Sequence, residues 1–169
     1  MRRTIFPTLV LAQAILACCG ACSPVSTNAI TPVTVTITVF FTNEARYQDG
    51  AEPYEAAVTR VVAPVPGSLP KTVLTQLFLG PTKDEQARGL VTVLSGTTGF
   101  STLTIEDGIA RIHLTGACAS RGSTYTIANL IHANLKQFPE IQWVKIYDQN
   151  NKTESPDGQS DSIPFCLEP

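Results

Sequence analysis

Alternation of apolar and polar residues predicts five β-strands along this chain. Residues 33–41 alternate Val, Ile and Phe with Thr, and this period of two indicates a strand with one buried face. Similar alternation predicts the other strands at residues 54–62, 100–105, 109–114 and 141–147. Asp107 and Gly108 lie between the third and fourth strands, and this dipeptide is typical of a tight hairpin.

Helical periodicity marks two further segments. The first runs from about Leu69 to Leu79 and ends at Gly80, for which we predict a left-handed cap. The second runs from about Ser123 to Phe138. Its inner face is predicted to contain Ile127, Leu130, Ile131, Asn134 and Leu135. Chain breakers predict a loop at residues 43–53, and the charged residues 82–89 predict a solvated turn, with a helical turn as the alternative.

The order of elements predicts the fold class. It reads strand, strand, helix, strand, strand, helix, strand. Two helices packed on one face of a mixed sheet of about five strands bury a single core. We therefore expect an α+β fold in one small domain.

The N-terminal region has the pattern of an export signal. Arg2 and Arg3 precede a mostly apolar run over residues 5–17, which is shorter than the ~20 residues that span a bilayer. Small residues then accompany three cysteines, as at the lipidation site of bacterial lipoproteins, and one of them is the expected acceptor: Cys18, Cys19 or Cys22. The alternative is an ordinary cleaved signal peptide whose cysteines are incidental.

These features predict the domain organisation and location. Residues 1–22 are expected to be a lipoprotein signal peptide, and residues 23–32, rich in Ser, Thr, Pro and Ala, a tether. Residues 33–169 then form the domain. The protein is expected to be exported, extracytoplasmic and anchored to the cell membrane through lipid.

Two cysteines lie far from the signal region. An exported protein meets an oxidising compartment, so we expect Cys118 and Cys166 to form a disulfide that anchors the polar C-terminal tail. The alternative is a pair of buried free thiols.

Several motifs resemble the GerMN domain of the sporulation and spore germination family. They are the helix stop at Gly80–Thr82, the downstream residues Glu85 and 89–90, and the hairpin around residues 106–108. The resemblance covers residues 33–147. It implies a non-catalytic, extracytoplasmic binding or assembly module that works near peptidoglycan. Similarity to the ring-building motifs of secretion-like complexes further implies protein–protein assembly.

Few residues are suited to catalysis or metal binding, so we predict no catalytic residues, no cofactor and no metal. His113 and His132 lack partners at metal-ligand spacing. Glu106 and Asp107 are predicted to form the hairpin turn rather than a pair of catalytic carboxylates. The run Asp148, Asn150, Lys152 resembles a calcium loop only superficially, because the glycine and the closing glutamate are missing.

Function is therefore expected to be binding. A net charge of −2 without a basic patch argues against nucleic acid. The expected partners are an envelope protein or a peptidoglycan component, together with the membrane through the lipid anchor. The alternative function is a peptidoglycan-acting hydrolase that uses carboxylates.

Overall fold

The computed structural model describes residues 33–169, which contain both β-strands and α-helices. The strands are β1 (Val35–Asn43), β2 (Glu55–Val62), β3 (Leu90–Val91), β4 (Thr97–Glu106), β5 (Ile109–Gly116) and β6 (Trp143–Tyr147). The helices are α1 (Glu44–Asp49), α2 (Leu69–Leu79), α3 (Lys83–Ala87) and α4 (Ile127–Lys136), and a 3-10 turn follows at Phe165–Leu167.

The strands form two sheets, which corrects the prediction of one mixed sheet of about five strands with two helices. The first sheet has the antiparallel order β2-β1-β3, and the second has the order β4-β5-β6. In the second sheet β4 and β5 pair antiparallel, whereas β5 and β6 pair parallel. The α+β class itself is confirmed.

A short strand explains why the two sheets remain separate. β3 pairs with β1 through only Leu90 and Val91, and the chain then turns before β4 begins. Gly96 lies in this turn with φ +77°, and a Cβ added there would lie 2.2 Å from the carbonyl oxygen of Ala117. Sequence periodicity identifies strands, but it does not determine which strand edges pair.

Helices α2 and α4 connect the two sheets through a shared core. Each contacts β1 of the first sheet, while α2 also packs on β4 and α4 on β6. Ala110, Ile112 and Leu114 of β5 are buried on one face, as their alternation predicted. All five residues predicted for the inner face of α4 are buried as well. One hydrophobic cluster thus spans both sheets.

The segment predicted as a loop at residues 43–53 contains the short helix α1. The side chain of Asn43 accepts a hydrogen bond from the Arg46 amide at 3.0 Å and so caps the N-terminus of this helix. Gly50 closes the other end in the left-handed conformation. Gly80 does end α2 with φ +79°, but its ψ of 176° differs from the predicted left-handed cap.

The C-terminal tail packs along the free edge of β6. The Ile146 amide donates to the Ser162 carbonyl at 2.9 Å, and the Ser162 amide donates to the Val144 carbonyl at 3.0 Å. Lys145 is fully buried, and its Nζ donates to the carbonyl oxygens of Ser155 and Asp157 at 2.6 and 3.0 Å. The tail therefore covers an otherwise open sheet edge.

Candidate ligand-binding cleft

The Gly80–Thr82 helix stop and Glu85 belong to one buried ion-pair network. The guanidinium of Arg60 on β2 donates to both carboxylate oxygens of Glu85, to the Gly80 carbonyl at 2.9 Å, and to Gln76. The Thr82 amide donates to Glu85 at 2.7 Å, which completes a capping box. The hydrogen bond from Arg60 is the main reason that the pKa of Glu85 is lowered. Both side chains are about nine-tenths buried, so these residues fix the fold of the motif.

Three tyrosines from distant parts of the sequence meet near the start of α4. Tyr47 is on α1, Tyr54 precedes β2, and Tyr125 precedes α4. The ring centroids of Tyr54 lie 5.4 Å from Tyr47 and 5.2 Å from Tyr125, both in edge-to-face geometry. Tyr47 and Tyr125 complete the triangle at 5.4 Å. Such contacts each contribute roughly 0.5–1.5 kcal/mol beyond area burial, so the cluster is a stable platform.

An open cavity of about 600 Å³ lies beside this cluster, and we name it the tyrosine cleft. Its lining residues are Glu52, Pro53, Tyr54, Glu55, Thr124, Tyr125 and Asn129. Glu52 is exposed and Glu55 is half-buried, so two carboxylates border the cavity. Aromatic surface combined with a few polar groups is typical of ligand sites.

The Tyr125 hydroxyl is held inside the cluster. Thr42, which is fully buried on β1, shares a hydrogen bond of 3.3 Å with this hydroxyl. Burial raises the pKa of Tyr125, and the nearby Glu55 carboxylate raises it further. Tyr125 therefore remains protonated and neutral at physiological pH, which leaves the two carboxylates as the charged groups of the cleft.

A second cavity of about 410 Å³ continues the tyrosine cleft towards the C-terminal tail. The two cavities share Glu55, Thr124 and Asn129 as lining residues. The remaining lining of the second cavity comes from α4 and the tail, at Thr126, Ala128, His132, Ala133, Ile163, Leu167 and Pro169. Together they form one elongated groove, which we name the α4 groove.

The histidines and carboxylates weighed from the sequence do not lie together. His113 stacks on Tyr147, and its Nδ1 lies 2.8 Å from the Asn151 side-chain oxygen. Glu106 and Asp107 are exposed at the hairpin tip. His113 lies four residues along β5 from Ile109, which pairs with Glu106, and this spacing corresponds to about 13 Å. This arrangement gives no shared acid–base site.

His132 instead contacts the C-terminal tail. Its Nδ1 lies 3.7 Å from an oxygen of Asp161, whose other oxygen accepts from Lys136 Nζ at 2.8 Å. Burial lowers the pKa of His132, although the Asp161 carboxylate opposes this effect. The pKa of Asp161 is also lowered, because hydrogen bonds from Lys136 and the Val144 amide outweigh the effect of its burial. These contacts attach the tail to α4.

The other residues singled out from the sequence are the two distal cysteines, the candidate lipidation cysteines and the calcium-like run. Cys118 and Cys166 are joined by a disulfide with their Cα atoms 5.6 Å apart. The candidate lipidation residues Cys18, Cys19 and Cys22 lie outside the described residues. In the calcium-like run, Asp148 accepts the amides of Asn150 and Lys152 at 2.8 Å each, so it stabilises a turn.

Among residues 33–169, His, Cys, Asp and Glu side chains do not gather into a cluster suited to a metal ion. The helices described there are all too short or too polar to cross a membrane.

Sequence reasoning did not find the tyrosine cleft. Tyr47 and Tyr54 are 71–78 residues away from Tyr125 in the chain, and residues 43–53 looked like an ordinary loop. The one local signal was the pair Asn43 and Gly50, which have the residue types of a helix cap at each end.

The fold and its motifs define a small α+β domain of the GerMN type. Residues 38–154 match the Germane family, described as sporulation and spore germination, and the chain belongs to that family. This family is not known for catalysis. The resemblance inferred from the helix stop and the hairpin is thereby confirmed.

A solved structure supports the same fold. The tandem GerMN domains of the sporulation protein GerM from Bacillus subtilis match with a TM-score of 0.54 and 20% sequence identity. The match covers 87% of this chain and 49% of that one, so this chain spans about half the length of the tandem structure. No curated protein matches the sequence.

Proposed function

We propose that this chain is a lipid-anchored, extracytoplasmic and non-catalytic GerMN module. In this proposal it binds an envelope protein or a peptidoglycan component through the tyrosine cleft. Membership of the sporulation and spore germination family supports a sporulation-associated role. The observation that carries the binding assignment is the open cleft of about 600 Å³ beside the packed tyrosine cluster.

Anchoring is proposed to occur through Cys18, Cys19 or Cys22, which follow the apolar run of the signal region. An acylated cysteine holds a domain at the membrane through its buried methylene groups, at ~0.8 kcal/mol each. Mass spectrometry of the mature N-terminus tests this step. An acylated cysteine at one of these positions is expected, whereas an unmodified N-terminus beyond residue 22 would contradict it.

Binding can be tested with separated envelope fractions. Full-length protein in detergent is presented with purified peptidoglycan and, separately, with solubilised membrane proteins. We expect one fraction to retain the protein and Tyr54→Ala to reduce retention about fivefold, which corresponds to roughly 1 kcal/mol. Unchanged retention of Tyr54→Ala, or no retention of the unmodified protein, would contradict the proposal.

Two further variants control this experiment. Glu52→Gln changes an exposed side chain of the cleft, so it tests the site even if Tyr54→Ala disturbs the tyrosine cluster. Glu140→Gln removes a charge from an exposed residue outside the lining of the cleft and should leave retention unchanged.

One observation favours a second function, a peptidoglycan hydrolase, because Glu52 and Glu55 border the same cavity. Paired carboxylates are the catalytic groups of most glycosidases. Their general acid, however, typically lies in an apolar pocket, whereas Glu52 is exposed and Glu55 is half-buried. Release of soluble fragments from peptidoglycan by the unmodified protein, but not by Glu52→Gln, would favour the hydrolase.

A further inference from the structure

We propose that the tyrosine cleft binds a primary ammonium group of an extended peptide, whose chain lies along the α4 groove. This inference rests on the proposed function and names the chemistry of its ligand. A lysine side chain of a protein segment and the free amine of a peptidoglycan stem peptide both supply such a group.

Charge is the first argument for an ammonium group. Glu52 and Glu55 line the tyrosine cleft, and neither cavity of the α4 groove has Lys or Arg among its lining residues. Arg46 Nη1 donates to the Pro53 carbonyl oxygen at 3.4 Å, so one positive charge lies near the cleft and does not balance both carboxylates. Along the groove, Lys136 is paired with Asp161 beside His132. The cleft thus presents negative charge that a cation can neutralise.

The packing of the tyrosines determines which kind of cation is suitable. A quaternary ammonium is typically bound inside a cage of separated aromatic rings. Here the three ring centroids are 5.2–5.4 Å apart, so the rings contact one another and leave no space between them. A primary ammonium has three N–H donors and can bind carboxylates beside a single ring. Glu52, Glu55 and Tyr54 supply that combination.

The shape and lining of the α4 groove favour a peptide over a bare glycan. Beyond the cleft, the α4 groove is lined by the exposed polar residues Thr124 and Asn129 and by the apolar tail residues Ile163 and Leu167. A lining of polar groups together with apolar side chains is suited to a peptide, whose backbone forms hydrogen bonds and whose small side chains pack on apolar surface. A sugar chain stacks on successive exposed rings, but Tyr125 is only 5% exposed and Tyr47 does not line the cleft.

Calorimetric titration of the full-length protein in detergent tests the inference with paired probes. The first pair is a short lysine-containing peptide and the same peptide with the lysine amine acetylated. The second pair is a soluble stem peptide with a free amine and its acetylated form. We expect one free-amine probe to bind, and acetylation to weaken its binding about tenfold or more, which corresponds to ~1.4 kcal/mol.

Charge-matched variants locate the interaction. Glu52→Gln combined with Glu55→Gln should weaken binding about tenfold, because each partly exposed ion pair contributes up to ~1 kcal/mol. Glu140→Gln combined with Glu154→Gln removes the same charge at exposed positions outside the groove lining and should not weaken it. Unfolding midpoints of all variants establish that each is folded.

The outcomes separate this inference from the proposed function. Equal binding of free and acetylated probes, or equal effects of the two double variants, would overturn the ammonium assignment. If peptide-free glycan strands bind and Tyr54→Ala abolishes their binding, the cleft is a binding site and only the ammonium inference fails. If no probe and no envelope fraction binds, both fail. Preference between the two free-amine probes identifies the source of the ligand.

Discussion

Replacing Glu85 by Gln should destabilise the domain strongly, although the change removes only one charge. Glu85 accepts hydrogen bonds from Arg60 Nε at 3.1 Å, from Arg60 Nη2 and from the Thr82 amide at 2.7 Å. A glutamine can retain only part of this set and leaves the Arg60 guanidinium, with its side chain 10% exposed, without a counter-charge. Breaking a buried ion pair in this way costs about 3–5 kcal/mol.

The lower end of that range applies here. In the variant, Arg60 can still donate hydrogen bonds to the carbonyl oxygens of Gly80 and Gln76, which lie at 2.9 and 3.3 Å. Its guanidinium also lies 4.9 Å from the centroid of the Phe41 ring. We therefore expect a loss of about 3 kcal/mol in the free energy of unfolding. Domains of this kind are typically stable by only 5–15 kcal/mol, so the loss is readily measured.

Urea unfolding followed by the fluorescence of Trp143, the single tryptophan, measures this loss. With a slope of about 2 kcal/mol/M, the midpoint should fall by about 1.5 M. Glu140→Gln, at an exposed position, is the matched control and should shift the midpoint little. A loss below about 1 kcal/mol for Glu85→Gln would refute the assigned role of the ion pair.

The pH dependence gives an independent check on the same pair. The pKa of Glu85 is lowered in the folded protein, so its stabilisation is present above the unfolded value of ~4.3. This stabilisation is lost as the pH falls through the folded pKa. The difference in stability between the unmodified protein and Glu85→Gln should therefore shrink in acid. A difference that does not vary with pH would contradict this assignment.

Three further substitutions test the tail and the core by the same urea assay. Cys118→Ser opens a 48-residue loop and should cost up to ~4 kcal/mol; an unchanged midpoint would contradict a stabilising disulfide. Lys145→Met removes two bonds from a buried ammonium to tail carbonyls and should cost about 2 kcal/mol, with faster proteolysis of the tail. Asn134→Leu removes two bonds of 2.9 Å to the Phe40 backbone and should cost about 2 kcal/mol; full stability would show that these bonds contribute nothing.

Local patterns predicted much of the fold in this chain. The alternation in β5 identified Ala110, Ile112 and Leu114 as core residues, and α2 begins and ends where its apolar stripe and Gly80 indicated. The Asp107–Gly108 turn also connects β4 and β5 as predicted, with positive φ at both residues. Each of these features is determined by neighbours in the sequence.

Features that depend on distant contacts were not predicted. Separation into two sheets follows from the two-residue strand β3 and the tight turn at Gly96. Lys145 is a charged residue of β6, yet the tail buries it and supplies carbonyl oxygens to its ammonium group. The tyrosine cleft likewise requires α1 and the start of α4 to meet. Periodicity in the sequence does not indicate which distant segments come into contact.

Site-specific photo-crosslinking tests the central claim, that this module works by binding an envelope component through the tyrosine cleft. A benzophenone amino acid is placed at position 54, and in a control protein at Val61, which is 68% exposed on β2 outside the cleft lining. Both proteins are irradiated in the intact envelope of the producing cell, and adducts are identified by mass spectrometry. The account predicts a defined peptide or peptidoglycan adduct from position 54 and none of that kind from position 61. The same adducts from both positions, or none from position 54, would contradict it.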